Sequence, residues 1–199
     1  MRISIEEFQG FSENWDEEIR QLLMKRMEEG FRRDVLENFS TEEAAVLRAA
    51  LGRMLPGKDE DGVDLAGFVD WALDKPLGRG DRRKGMPPDD ILIRRGVVGI
   101  EETAWIMFGK PFHRLREFHQ DDVLREIQSG AAKGEIWMEV PPQRFFTKLM
   151  LKAVTGYFSY PPTWMRMGFP GPSYPEGYVW IGQKEIMARR RHFPGWKTL

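Results

Sequence analysis

Two histidines and a carboxylate, His113, His119 and Asp121, are the nearest this sequence comes to a metal-ligand set. Imidazole nitrogens with a carboxylate are side chains that can converge on a metal. Their spacing, however, spans a loop-to-helix junction and matches no standard ligand pattern, so the expectation is no metal, with His119 a helix-start residue hydrogen-bonded to backbone. Lys58-Asp-Glu-Asp-Gly-Val-Asp64 has the acidity of a calcium loop. Val63 and Asp64 stand where that loop needs an oxygen ligand and a glycine, and its twelfth position is Asp70 rather than glutamate, so it reads as a solvated acidic turn. Gly78-Arg-Gly80 lacks the third glycine of a dinucleotide fingerprint and follows a helix instead of a strand, so it reads as a loop. Glu101-Glu102 and Asp121-Asp122 are neighbours in sequence and point to different helix faces, which suits caps and surface charge better than an acid/base pair. The expectation is therefore no catalytic residue, no cofactor-binding residue and no metal ligand in this chain.

Composition narrows the chemistry further. None of the 199 residues is cysteine, which removes disulfides, thiolate metal sites, cysteine-ligated iron–sulfur clusters and cysteine nucleophiles. A net charge of −1 supplies no global field toward nucleic acid or an anionic membrane. Arg189-Arg-Arg-His192, with Phe193 and Trp196 nearby, is a basic and aromatic cluster without a matching basic face elsewhere, and is read as forming ion pairs with a partner protein. The start, Met1 to Phe8, has no apolar core of a leader and no twin arginine, and no run reaches the roughly 18 apolar residues that cross a bilayer. The chain is thus expected to carry no signal of its own and to be cytoplasmic, with export through a signal on a partner subunit as the alternative.

The elements that must position these residues read as helix after helix. From Asn14 to about Asn38, Ile19, Leu22, Leu23, Met27, Phe31 and Val35 recur at helical spacing, with Asp16, Glu17 and Glu18 in the first turn. Ser40 stands three residues before Glu43, a capping box, and opens a helix through Leu47, Ala50, Leu51, Met54 and Leu55 that stops at Pro56-Gly57. Leu65, Phe68, Val69, Ala72 and Leu73 mark a short third helix ending at Pro76, and a glycine- and proline-punctuated loop runs from Gly78 to Pro88. A fourth helix from Asp89-Asp90 to Phe108-Gly109 is apolar around much of its circumference, through Ile91, Leu92, Val97, Val98, Ile100, Ala104, Trp105 and Met107, and is predicted to be the buried central one. A fifth runs from His119 to Ser129 with Gly130 as C-cap. The last starts at Pro141-Pro142 and turns Phe145, Phe146, Leu149, Met150, Ala153, Val154, Tyr157 and Phe158 inward, with Arg144, Lys148 and Lys152 facing water. No strand and no internal repeat is evident. The class is all-α: a small irregular helical bundle over residues 1–159 with an extended aromatic and proline-rich C-terminal arm over 160–199.

That arm is where the sequence offers surface instead of chemistry. Every tyrosine lies between Tyr157 and Tyr178, beside Trp164, Phe169 and Trp180, in a stretch with neither helical nor strand period. It must lie against its own bundle or against another protein, since it cannot form a core alone. A backbone stiffened by Pro170, Pro172 and Pro175 and carrying Tyr157, Tyr160, Trp164, Phe169, Tyr174, Tyr178 and Trp180 loses comparatively little entropy on docking. Met167 adds an adaptable contact, while Gly168 and Gly171 permit turns or close backbone approach. These thirteen residues are the candidate partner interface, and packing of the arm on its own bundle is the competing reading.

Phe39-Ser-Thr-Glu-Glu, Leu51 to Pro56, Phe118-His-Gln-Asp-Asp-Val-Leu-Arg-Glu-Ile-Gln-Ser-Gly130, Phe145-Phe146, Gly156-Tyr-Phe-Ser-Tyr-Pro161 and Met167-Gly-Phe-Pro-Gly171, in that order, resemble the gluconate 2-dehydrogenase subunit 3 family from about residue 39 to 178. The resemblance implies a small, cofactor-free subunit whose partner is a large flavoprotein of the glucose-methanol-choline oxidoreductase type. That partner would hold FAD and oxidise a sugar, glycoside or polyol, often with a cytochrome c subunit as acceptor. The small subunit would help it fold, stay soluble or be exported. Many members begin with a twin-arginine signal, which this sequence does not show. A free-standing interaction or regulatory protein without a flavoprotein partner is the alternative.

Overall fold

A buried carboxylate decides where the first long helix stops. The computed structural model of the chain describes residues 4–13, 15–55, 62–74, 87–169 and 171, except the side chain of Ile5. Among them the helices are α1 Ile5–Phe11, α2 Glu17–Glu29, α3 Thr41–Met54, α4 Leu65–Asp74, α5 Asp89–Phe108, a 3-10 turn Phe112–Arg114, α6 Glu117–Ser129, α7 Ile136–Glu139, α8 Pro142–Phe158 and α9 Pro161–Met167, with no strand. The fold class is all-α, as the sequence implies. The acidic loop at 58–61, the glycine loop at 78–86 and the Arg189–His192 cluster lie outside the described residues.

The predicted single helix from Asn14 to Asn38 is corrected: α2 ends at Glu29, where Gly30 (φ 53) and Phe31 (φ 60) take left-handed conformations. The segment after it is drawn off by Asp70 of α4, whose side chain is fully buried. Its oxygens accept from the backbone N–H of Glu37 (3.0 Å) and Asn38 (2.9 Å) and from Arg33 Nη1 (2.7 Å), and its own carbonyl accepts from Asn38 Nδ2. N–H groups that a continuing helix would give to carbonyls one turn earlier are given to this carboxylate instead. Val35, counted in the helical stripe, is consequently exposed.

The chain divides into two compact units, residues 31–159 and residues 1–30 with 160–199. In the first, α3 begins as predicted, with Ser40 Oγ accepting from Glu43 N and Ser40 N donating to the Glu43 carboxylate. Arg53 of α3 reaches α6, pairing with both Asp121 oxygens at 2.8 Å and with Glu117. α5 packs against α3, α6, α7 and α8. Its two glycines explain how closely: a Cβ on Gly96 would fall 1.9 Å from the Phe145 ring, and one on Gly99 would fall 2.6 Å from Trp137. Trp137 Nε1 donates to Thr103 Oγ1 (2.8 Å), which donates to the Gly99 carbonyl, so the four-residue α7 is pinned across α5. α5 is central but not wholly buried: Leu92, Ile93, Val97 and Ile100 face inward, while Ile91, Val98 and Trp105, seven residues apart, face out.

Two smaller departures have local causes. α6 begins at Glu117, two residues before the predicted start, because Arg116 already has extended cap geometry. Lys152, predicted to face water, is half-buried on α8. Burial pushes its ammonium below the ordinary lysine range, Asp89 pulls it back up and Lys148 adds to the lowering.

In the second unit, α1, α2 and α9 contribute Phe8, Leu23, Met27 and Tyr160 to the core. α1 was not anticipated, although Ser4 and Glu7 form a full capping box.

Two predictions follow from the buried contacts. Burial works to raise the Asp70 carboxyl, but the Asn38 and Glu37 N–H groups and Arg33 outweigh it and hold the group below the usual aspartate range. Stability from this carboxylate is therefore present above its unfolded-state value of about 3.9 and lost as pH falls through the lower folded value. Asp70→Asn should cost about 2–4 kcal/mol in urea unfolding at neutral pH, and the gap to wild type should narrow on acidification. Gly96→Ala should destabilise by about 1–3 kcal/mol through overpacking against Phe145. Gly10→Ala, where an added Cβ meets nothing within 4 Å, should not.

Candidate functional site

The candidate interface divides between residues turned inward and residues turned outward. Pro170, Pro172, Tyr174, Pro175, Tyr178 and Trp180 lie outside the described residues. The stretch after Tyr160, read as irregular, contains α9, because Pro161 and Pro162 occupy its first turn, where a missing N–H costs nothing and the fixed φ suits a helix. Gly168 caps it in a left-handed conformation (φ 67). Tyr160 is 2% exposed, and its hydroxyl donates to the Met27 carbonyl at 3.1 Å. Trp164 is half-buried between Trp15 and Phe169, with centroids 6.3 and 5.6 Å away. Gly171 (φ 89) is buried so close to Trp15 that a Cβ would lie 1.9 Å from its ring. Met167 (46% exposed) and Phe169 (37%) present side chains to solvent. Tyr157, at the end of α8 in the other unit, is half-buried with its ring 5.3 Å from Phe158.

A second outward surface was missed by sequence reasoning. Where α5 turns into α6, Trp105, Ile106 and Phe118 are each more than half exposed and Met107 more than a third. The turn beneath them is firmly built. Glu101 accepts from Phe112 N (2.8 Å) and from Trp105 Nε1 (3.2 Å), and buried Gln120 donates to the Phe112 carbonyl (3.0 Å), with Phe112 itself fully buried. Helical periodicity assigned Trp105 to the core because it shares an apolar circumference. The signal that could have separated it is the i, i+7, i+14 row of Ile91, Val98 and Trp105, which lies opposite the two glycines that mark the packed face.

Of the residues considered for a metal, His113 is exposed, whereas His119 and Asp121 are used structurally. The His119 ring stacks on Phe108 at 4.2 Å and lies 4.0 Å from Phe118, while Asp121 is engaged by Arg53, whose guanidinium holds its carboxyl below the ordinary range. Among the described residues no three His, Asp or Glu side chains are placed to hold a metal. Glu102 accepts from the Glu135 and Ile136 N–H groups at the start of α7, so Glu101 and Glu102 do act as caps, each for a segment distant in sequence. An open cleft of about 540 Å³ is lined by Arg32, Arg48, Arg53, Asp64, Glu117 and Gln120, but Arg48 pairs with Asp64 and Arg53 with Glu117 and Asp121. A second, of about 480 Å³, contains Gln143, Arg144, Phe146 and Thr147, and the Thr147 hydroxyl donates to its own helix at Gln143. Neither cleft sets a nucleophile beside a base.

Fold and site together define an all-α protein whose buried polar side chains bind its own segments and which, among the described residues, leaves a few aromatic and aliphatic side chains exposed. The sequence model of the gluconate 2-dehydrogenase subunit 3 family matches residues 41–171, and the chain belongs to that family. No curated protein and no solved structure shows a significant match to it. The family is that of a small subunit of a dehydrogenase complex, and its match covers all of α3 to α9.

Removing the Tyr160 hydroxyl tests how firmly the start of α9 is held. Tyr160→Phe leaves the buried Met27 carbonyl one donor short and should lower unfolding stability by about 1 kcal/mol, read as a shift in urea midpoint at unchanged slope.

Proposed function

We propose that this chain is a non-catalytic small subunit that binds and stabilises a larger, FAD-containing dehydrogenase subunit acting on a sugar, glycoside or polyol. The observation that carries the reading is membership of the gluconate 2-dehydrogenase subunit 3 family across α3 to α9. The arrangement of the chain supports it. Buried polar groups such as Asp70, Thr103 and Gln120 are hydrogen-bonded within the fold, and neither described cleft assembles an acid/base pair or a nucleophile. FAD and the substrate contacts then belong to the larger subunit, and a cytochrome c subunit is a further candidate member.

In this reading the arm from Tyr157 onward contributes contact surface. Among its described residues, Met167 and Phe169 are the outward ones, while Tyr160, Trp164 and Gly171 hold the arm's own shape so that those two are presented in fixed positions.

The full-length chain, tagged in its host and purified gently, should carry a flavin spectrum and a stoichiometric larger protein. Met167→Asp should reduce recovery of that protein several-fold while leaving the unfolding midpoint within about 0.5 kcal/mol of wild type, as expected of a surface substitution. A colourless protein recovered alone would overturn the proposal.

A further inference from the structure

The corner between α5 and α6 combines two properties. Trp105, Ile106, Met107 and Phe118 expose apolar surface within fourteen consecutive residues. In the same stretch Lys110, Arg114 and Arg116 are exposed cations that form no ion pair among the described residues. Most other arginines of the same unit are matched: Arg33 with Asp70, Arg48 with Asp64, Arg53 with Asp121, Arg94 with Asp90, Arg95 with Glu139 and Arg125 with Asp122. The corner's own acids do not pair with the three: Glu117 pairs with Arg53, and Glu101 accepts from Phe112 N and Trp105 Nε1. A chain with a net charge of −1 thus gathers unmatched positive charge around its exposed aromatic groups.

We propose that this corner is a docking surface for a protein whose own face is apolar and bordered by carboxylates, and, resting on the function proposed above, that this protein is the larger dehydrogenase subunit. An exposed cluster of Trp, Ile, Met and Phe is the composition of an interface centre, and unmatched charges at its edge select a partner of opposite sign. The same charges disfavour a second copy of this chain, since two such corners face to face would bring six cations together. The rigid turn beneath, anchored through Phe112, Glu101 and Gln120, means the surface is formed before the partner arrives, so little ordering opposes binding.

The test uses the full-length chain and the flavoprotein recovered with its wild-type form. The triple variant K110E/R114E/R116E and the double variant W105S/F118S should each bind that flavoprotein about tenfold or more weakly, and the wild-type affinity should fall as salt is raised. K110R/R114K/R116K should bind as wild type does, and R144E, at a distant arginine, should as well. Thermal unfolding of every variant separates lost docking from lost folding. If wild type recovers no flavoprotein, both this inference and the proposed function are overturned. If wild type binds it and the two corner variants bind equally well, this inference alone is overturned. Corner-dependent sedimentation of the wild-type chain with phosphatidylglycerol vesicles, with flavoprotein binding unchanged in the variants, would make the corner a lipid-facing surface and overturn it. So would corner-dependent dimerisation with the same unchanged binding.

Discussion

A carboxylate with no access to water must be paired, and in this protein that requirement shapes the chain on either side of it. Asp70 sits on α4 among Phe68, Val69 and Ala72 and is as buried as they are. An unpaired charge there would be too costly for the folded state to carry, so donors must come to it. They come from residues 33–38, which give up helical hydrogen bonding to supply two N–H groups and a guanidinium. With that segment out of helical conformation, Ser40 is free to begin α3 with its own capping box. α4 in turn is held by packing as well as by charge, since the Phe68 ring lies where Gly156 of α8 leaves room for it. One buried group therefore bears on where one helix cannot continue and where the next can start.

The helix starts and stops that were legible in the sequence are the ones whose cause is local. Ser40 with Glu43, Pro142 at the first turn of α8, and glycines 109 and 130 at left-handed C-caps all act within a few residues, and the structure places the corresponding helix ends where sequence puts them. The end of α2 was less legible: Gly30 gives it a left-handed C-cap, but the pull on the segment after it comes from more than thirty residues away, on α4. α7 was missed for a similar reason. Its four residues have no periodicity to detect, and it exists because Glu102 caps it and Trp137 reaches Thr103. Ser4 and Glu7 show the opposite failure, a local signal that was present and not used.

The candidate surfaces were less legible than the fold, and for a physical reason. Periodicity says that an apolar residue is on a helix, not whether something covers it. Trp105 and Ile100 share α5 and are both apolar, yet Ile100 is fully buried and Trp105 half exposed. What distinguishes the two faces is the pair of small residues, Gly96 and Gly99, onto which Phe145 and Trp137 close. In the arm, abundance of aromatic residues pointed to contact but not to direction, and Tyr160 and Trp164 are directed into their own unit while Met167 is not.

The allocation of polar and apolar groups among the described residues agrees with the proposed binding role on energetic grounds. A catalytic group has to meet substrate with its hydrogen-bonding capacity at least partly open, which leaves a cost in the free protein that a structural group does not carry. Here Asp70, Asp121, Glu101, Glu102, Thr103 and Gln120 are each committed to a named backbone or side-chain partner within the fold. Leaving Trp105, Ile106 and Phe118 in water has its own cost, and it falls on the opposite side of the ledger: it is relieved only when another apolar surface arrives. A partner that covers those residues, as the proposed function requires, therefore stabilises this fold further.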